Sequence, residues 1–151
     1  MKSGIQHHPF TMSQGKYPRM IVSPVEVSRP GSAHGGIRMN FTATAQWDTG
    51  ADYCAISSEL ASALLLRSCG TAEVNGSDVR NTYLVDLVLP NGVFFSEVPA
   101  IEDPLLEQTG VDFLIGLAVI NEVDFALTHD KNGDSVLSIS YPADRLIQFR
   151  D

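Results

Sequence analysis

Three Asn-Gly pairs, at Asn75-Gly76, Asn91-Gly92 and Asn132-Gly133, each fall between runs rich in Val, Leu, Ile, Phe, Tyr and Thr. Both residues of such a pair accept positive φ, which the tight turns of two-stranded hairpins require, so the pair between β-prone runs is a strong hairpin signal. A chain punctuated in this way folds as a β-meander. Between the first two pairs, "TYLVDLVL" sets Tyr83, Val85, Leu87 and Leu89 on one face by strict alternation, and "VFFSEVPAI" runs back beside it. The third pair closes the chain through "DFALTHDKNGDSVLSIS".

The upstream half is β-rich as well. "MIVSPVEVSR" and "GGIRMNFTATAQW" read as strands, the second with Ile37, Met39, Phe41, Ala43 and Ala45 on one face. Two short helices interrupt the pattern. "SSELASALLL" has Ser57 as N-cap, Glu59 in the first turn and Leu60 and Leu64 one turn apart, all marks of a helix start. A second helical pattern runs from Leu117 to Glu122.

With 151 residues and 44% apolar composition, the chain can bury one core. The expected organisation is a flexible tail over residues 1–19, rich in Gly, Ser and Gln, and one domain over residues 20–151. Charge is unevenly placed. Residues 1–46 carry five basic and one acidic side chain, net +4, and residues 47–151 carry five basic and seventeen acidic, net −12. An acidic body speaks against nucleic acid as a partner. Cys54 and Cys69 are too few for a disulfide framework, and the first twenty residues hold no continuous apolar run that could serve as a signal or membrane segment. The expectation is a soluble, cytoplasmic protein with no membrane partner. No metal or cofactor is expected either. His7 and His8 lack a third ligand at a useful spacing, and the Asp130, Asn132, Asp134 series lacks the glycine and glutamate of a calcium loop.

One stretch is costly for a plain β-domain: "AQWDTGADYCAIS" sets Asp48 in a turn where an apolar strand ends. A carboxylate walled by apolar segments loses water, a cost that function repays most readily. A second apolar-to-glycine junction, "LIG" at residues 114–116, lies beyond the hairpins.

The order of apolar strand, D-T-G-A, helix, meander, two apolar residues plus Gly, short helix and closing hairpin resembles the retropepsin family of aspartic peptidases. "DTGADYCAISSELASAL" and "FLIGLAVINEVDFALT" look most like its single-domain bacterial and phage members. The resemblance covers residues 20–147. It implies a mostly β, closed-barrel fold with one or two short helices, active as a two-fold homodimer on polypeptide substrates.

It also implies roles for particular residues. Asp48, Thr49 and Gly50 would be the catalytic triplet. The chain has one such triplet, so the second carboxylate of the dyad must be the Asp48 of another copy. Thr49 would cross the dimer axis, and Gly50 would offer its N–H to the carboxylate. Leu114, Ile115 and Gly116 would pack beneath the loop. Ala51, Gly70, Thr71, Ala72 and Ile115 would meet the substrate, the middle three from a hairpin, "CGTAEVNGSDV", covering the cleft. Trp47 departs from the family's aliphatic residue and must find room and an N–H partner. A terminal strand, from "VSPVEV" or "VLSISYP", is expected at the dimer interface to cover an otherwise free edge. A non-catalytic module of the same fold, holding peptides or assembling through its dimer sheet, is the alternative.

Overall fold

The computed structural model describes residues 4–31 and 40–150. Ile37 and Met39, assigned above to a strand face, lie outside the described residues. Among the described residues, ten strands and two short α-helices make up the order: β1 His8–Gly15, β2 Ile21–Ser28, β3 Asn40–Trp47, β4 Cys54–Ser57, α1 Ser58–Ala63, β5 Gly70–Val74, β6 Asp78–Val88, β7 Phe94–Asp103, β8 Phe113–Ile115, α2 Leu117–Ile120, β9 Asp124–His129 and β10 Ser135–Tyr141. A 3-10 turn, Leu106–Thr109, precedes β8.

Six strands close on themselves. The order β2-β3-β8-β4-β7-β6 returns to its start because Glu26, Val27 and Ser28 of β2 pair with Val88, Leu87 and Asp86 of β6. Closure removes sheet edges, and alternation along each strand then fills the interior. Val27, Ala45, Ile56, Val85, Leu87, Phe113 and Ile115 are fully buried there. Tyr83 and Leu89 join them, as their alternation requires, whereas Phe41, at the start of β3, is 41% exposed.

The hairpin turns form where the Asn-Gly pairs stand, in two geometries. At the β5–β6 turn both Asn75 and Gly76 have positive φ, while at the other two turns only Gly92 and Gly133 do. α1 starts as its sequence dictates: the Ser57 hydroxyl accepts from the Leu60 N–H at 3.1 Å, and Leu60 and Leu64 are buried on one side.

A second, three-stranded sheet has the order β1-β10-β9. The expected flexible tail therefore does not hold over His8–Gly15, which pairs with β10 from His8↔Tyr141 to Gly15↔Ser135. This ladder is made by backbone groups, and so the polar side chains of the segment gave no apolar pattern to read. Gln14 ties the end of β1 to the barrel, its side-chain amide bonding the Val22 C=O at 2.9 Å and the Val22 N–H at 2.8 Å. Ring contacts Trp47–Phe125 at 6.0 Å and Phe95–Tyr141 at 6.1 Å bind the two sheets together.

The pairing also corrects the expected free edges. "VSPVEV" lies in β2, bonded along its length by β3 and, from Glu26 on, also by β6, and "VLSISYP" lies in β10, bonded on both sides by β1 and β9. The edges of the small sheet are β1 and β9. No helix among the described residues is long and apolar enough to cross a membrane.

Candidate active site

The Asp48 loop is built by threading. β8 runs parallel to β3, with Trp47 opposite Ile115, and antiparallel to β4, with Ala55 opposite Leu114. The loop from Asp48 to Tyr53 thus leaves one neighbour of β8 and re-enters the sheet at the other. Its backbone is bonded to the segment it crosses. The Asp48 N–H donates to the Ile115 C=O at 2.9 Å, and the Ala51 and Asp52 carbonyls accept from Leu117 and Ala118 at 2.8 and 3.0 Å.

Gly116 makes the crossing possible. A Cβ there would stand 2.3 Å from the Tyr53 carbonyl oxygen and 2.8 Å from that of Ala51. Its backbone is extended, with φ −96° and ψ −173°, so the glycine is required by space and not by conformation. Gly50 serves differently: its N–H donates to Asp48 Oδ1 at 2.8 Å, and a Cβ on it would crowd that oxygen at 3.2 Å. The carboxylate is thereby oriented from one side. Asp48 is half-buried, and Thr49 and Gly50 are exposed.

Beneath the loop, Trp47 is 4% exposed and its indole N–H donates to Ser23 Oγ at 2.9 Å. The indole supports the loop from below and does not enter the cleft. The neighbouring Cys54 thiol is pushed up to about 11, chiefly by burial, with a backbone hydrogen bond from Gly116 acting in the opposite direction.

Between the loop and the β5–β6 hairpin lies a cleft of about 520 Å³. Its floor includes Ala51, Tyr53, Ala55 and Leu114, its far wall Ile101 and Asp103, and its roof the segment from Ala72 to Asn75 with Arg80. Arg80 is held there by two carboxylates, with Nε at 2.8 Å from Asp78 and Nη1 at 3.4 Å from Asp103. Asn81 bonds Glu102 at 3.2 Å. These side chains anchor the hairpin beyond Thr82↔Ile101, the last backbone pair of β6 with β7.

Asp48, Thr49, Gly50 and Ala51 share one loop; Ala51 lines the cleft across from Ala72, whereas Asp48, Thr49 and Gly50 lie outside its lining. Gly70 and Thr71 also sit on β5, at the hairpin's base and away from the cleft lining. Ile115, expected beneath the loop and against substrate, is 0% exposed and so only packs beneath, and Leu114, expected beneath the loop, lines the cleft. Successive strand residues face opposite ways, and a three-residue strand leaves its parity unset until its neighbours are known. Sequence reasoning missed Tyr53, Ile101, Asp103 and Arg80 in the lining. The one signal available for Ser23 was the indole's need for a partner.

Among the described residues, no group of three or more His, Cys, Asp or Glu side chains is placed to hold a metal ion. The Asp130 carboxylate caps its own turn, accepting from the N–H groups of Asn132 and Asp134 at 2.8 and 3.0 Å.

No protein-family model matches the chain, and no curated protein matches its sequence. Solved structures do match. A retropepsin-like aspartic protease from Rickettsia conorii aligns at TM-score 0.57 and 15% identity, over 95% of this chain and 99% of that one. The retroviral protease-like domain of Ddi1 from Leishmania major aligns at TM-score 0.45 and 14% identity, over 77% of this chain and 91% of that one. The fold is retropepsin-like.

Proposed function

On this retropepsin-like fold we propose that the chain is an aspartic endopeptidase, active as a two-fold homodimer that pairs one Asp48 from each copy. The observation that carries the reading is the Asp48 loop itself: a carboxylate oriented by the Gly50 N–H and fixed to β8 through its own N–H, beside an open cleft roofed by a hairpin. A loop built this rigidly, with Thr49 exposed at its tip, suits a site completed across a symmetry axis.

The chemistry follows from two carboxylates sharing one proton. The ionised carboxylate takes a proton from water as that water attacks the scissile carbonyl carbon, while the protonated one donates to the carbonyl oxygen. The resulting tetrahedral species collapses as a proton passes to the amide nitrogen, which leaves as an amine. Proton transfer within the pair needs the carboxylates about 3 Å apart, so loop rigidity is a catalytic requirement.

Extended peptide is the fitting substrate. β5 is the last strand of its sheet, and its free edge can add a further strand from a bound peptide. Two free thiols, buried Cys54 and exposed Cys69, suit a reducing, cytoplasmic setting.

The test is incubation with a diverse peptide library at mildly acidic pH, comparing wild type with Asp48→Asn. Cleavage by wild type alone supports the reading. A wild type that cuts nothing, or a variant that cuts as well as wild type, contradicts it.

A further inference from the structure

The roof of the cleft is held to the body by side chains where backbone pairing has stopped. β6 and β7 are bonded as far as Thr82↔Ile101, and the same register continued sets Asn81 opposite Glu102 and Arg80 opposite Asp103. There β7 changes partner, because Glu102 and Asp103 pair with Ile56 and Ser57 of β4. The β5–β6 hairpin leaves the barrel at this fork. Side-chain rungs take over from the backbone ones: Asn81 Nδ2 donates to Glu102 at 3.2 Å, and Arg80 Nη1 stands 3.4 Å from Asp103 Oδ1. Asp103 is fixed on the body side, since the same Oδ1 accepts from the Leu105 N–H at 3.0 Å. Arg80 has a second carboxylate on its own strand, with Nε donating to Asp78 Oδ2 at 2.8 Å.

A polypeptide reaches a roofed cleft only when the roof lifts, and lifting separates Arg80 from Asp103. The guanidinium keeps a partner in that step, because Asp78 travels with it. We propose that Arg80 is a two-partner latch that positions the cleft roof: shared between Asp103 and Asp78 it holds the hairpin down, and on Asp78 alone it lets the hairpin lift. Lowering the hairpin brings two like charges to one guanidinium. The 3.4 Å contact to Asp103 is long for a charge-assisted bond, and the 2.8 Å contact to Asp78 is ordinary. Asp78 thus draws Arg80 toward the hairpin and repels the body carboxylate. The two carboxylates act in opposite directions on one equilibrium: neutralising Asp103 favours the lifted hairpin, and neutralising Asp78 favours the lowered one. With side chains 19% and 30% exposed, the Arg80–Asp103 pair is weak enough to break and reform.

The inference rests on the peptidase reading only for why the roof must open, and its test needs no cleavage. Nitroxide labels are placed on the hairpin tip at Ser77→Cys and on α2 at Ala118→Cys, both exposed positions, in a Cys69→Ser background that leaves buried Cys54 unlabelled. The Ala118 N–H holds the loop at the cleft floor, so a lifted roof lengthens this distance. Labelled chains are diluted into unlabelled ones, and distances within a chain are read by double electron–electron resonance. Asp103→Asn, which keeps an acceptor for the Leu105 N–H, should raise the ratio of long to short distances by about two- to fivefold, the range of a partly screened ion pair. Asp78→Asn should lower that ratio by a similar factor. At about 1 M salt the variants and wild type should converge. The buried emission of Trp47 verifies that each variant is folded. Both variants shifting the same way, or neither shifting, overturns the latch even if wild type cleaves a peptide library. Opposed shifts in a chain that cuts nothing overturn the peptidase reading and leave the latch standing.

Discussion

Replacing Gly116 with alanine adds one methyl group at the point where the Asp48 loop crosses β8, and the structure sets its cost. The new carbon would lie 2.3 Å from the Tyr53 carbonyl oxygen, 2.7 Å from the Tyr53 carbonyl carbon and 2.8 Å from the Ala51 carbonyl oxygen. All three are backbone atoms, so no rotamer change relieves the clash and the loop must move away. Overpacking of this kind costs about 1–3 kcal/mol. The displaced loop also loses the Leu117 to Ala51 and Ala118 to Asp52 hydrogen bonds, at about 0.5–1.5 kcal/mol each. The sum, about 2–6 kcal/mol, is a large part of a domain's stability of about 5–15 kcal/mol. Urea unfolding followed by the single tryptophan, Trp47, should show the midpoint falling by about 2 M for a slope of about 2 kcal/mol per M. Gly76→Ala is the control, because its φ of +80° is strained for alanine but nothing lies within 4 Å, and its cost should stay near 1–2 kcal/mol, roughly that of a left-handed residue. A Gly116→Ala midpoint shift no larger than the control's would refute the account of the crossing.

Ser23→Ala should destabilise the fold by about 1–3 kcal/mol, because the buried Trp47 N–H loses its acceptor; thermal unfolding checks it, and an unchanged Tm would mean the indole is satisfied otherwise. If Thr49 bonds across the axis of the proposed homodimer, Thr49→Val should weaken that dimer about tenfold, read by sedimentation; a dimer as tight as wild type removes the cross-axis role. Burial holds the Cys54 thiol neutral up to about 11 against an ordinary 9.0. Its folded value is raised, so the contribution is complete below pH 9.0 and is lost as pH climbs toward about 11, by about 3 kcal/mol. Denaturant midpoints across that range should fall in wild type and stay flatter in Cys54→Ala, and parallel curves would show the thiol is not responsible.

What sequence could reveal here was local. Asn75-Gly76 carries its turn geometry in two residues, Ser57 caps α1 with its own hydroxyl, and Tyr83, Val85, Leu87 and Leu89 declare their face by alternation. The barrel's closure is not local: Glu26 meets Val88, 62 residues further along the chain, and nothing in "VSPVEV" states which strands flank it. β1 escaped notice for a related reason, since its ladder with β10 uses backbone groups that every residue carries. At the site, the Asp48 loop and the Gly116 junction were readable because their residue types are restricted by close approach. The facing of Leu114 and Ile115 was not, because parity in a short strand follows from its neighbours. The roof of the cleft lies nearer the hairpin tip than Gly70 and Thr71 because the side-chain ties of Arg80 and Asn81, and not the glycine content, set how the hairpin overhangs.

Subunit mixing tests the shared dyad most directly. Wild-type and Asp48→Asn chains are combined at fixed total concentration, allowed to exchange, and assayed for peptide cleavage as the wild-type fraction varies. If each site needs one Asp48 from each copy, activity follows the square of that fraction, and an equal mixture retains about a quarter of the wild-type rate. Activity in direct proportion to the fraction, about half at equal mixing, would contradict a dyad formed across two copies.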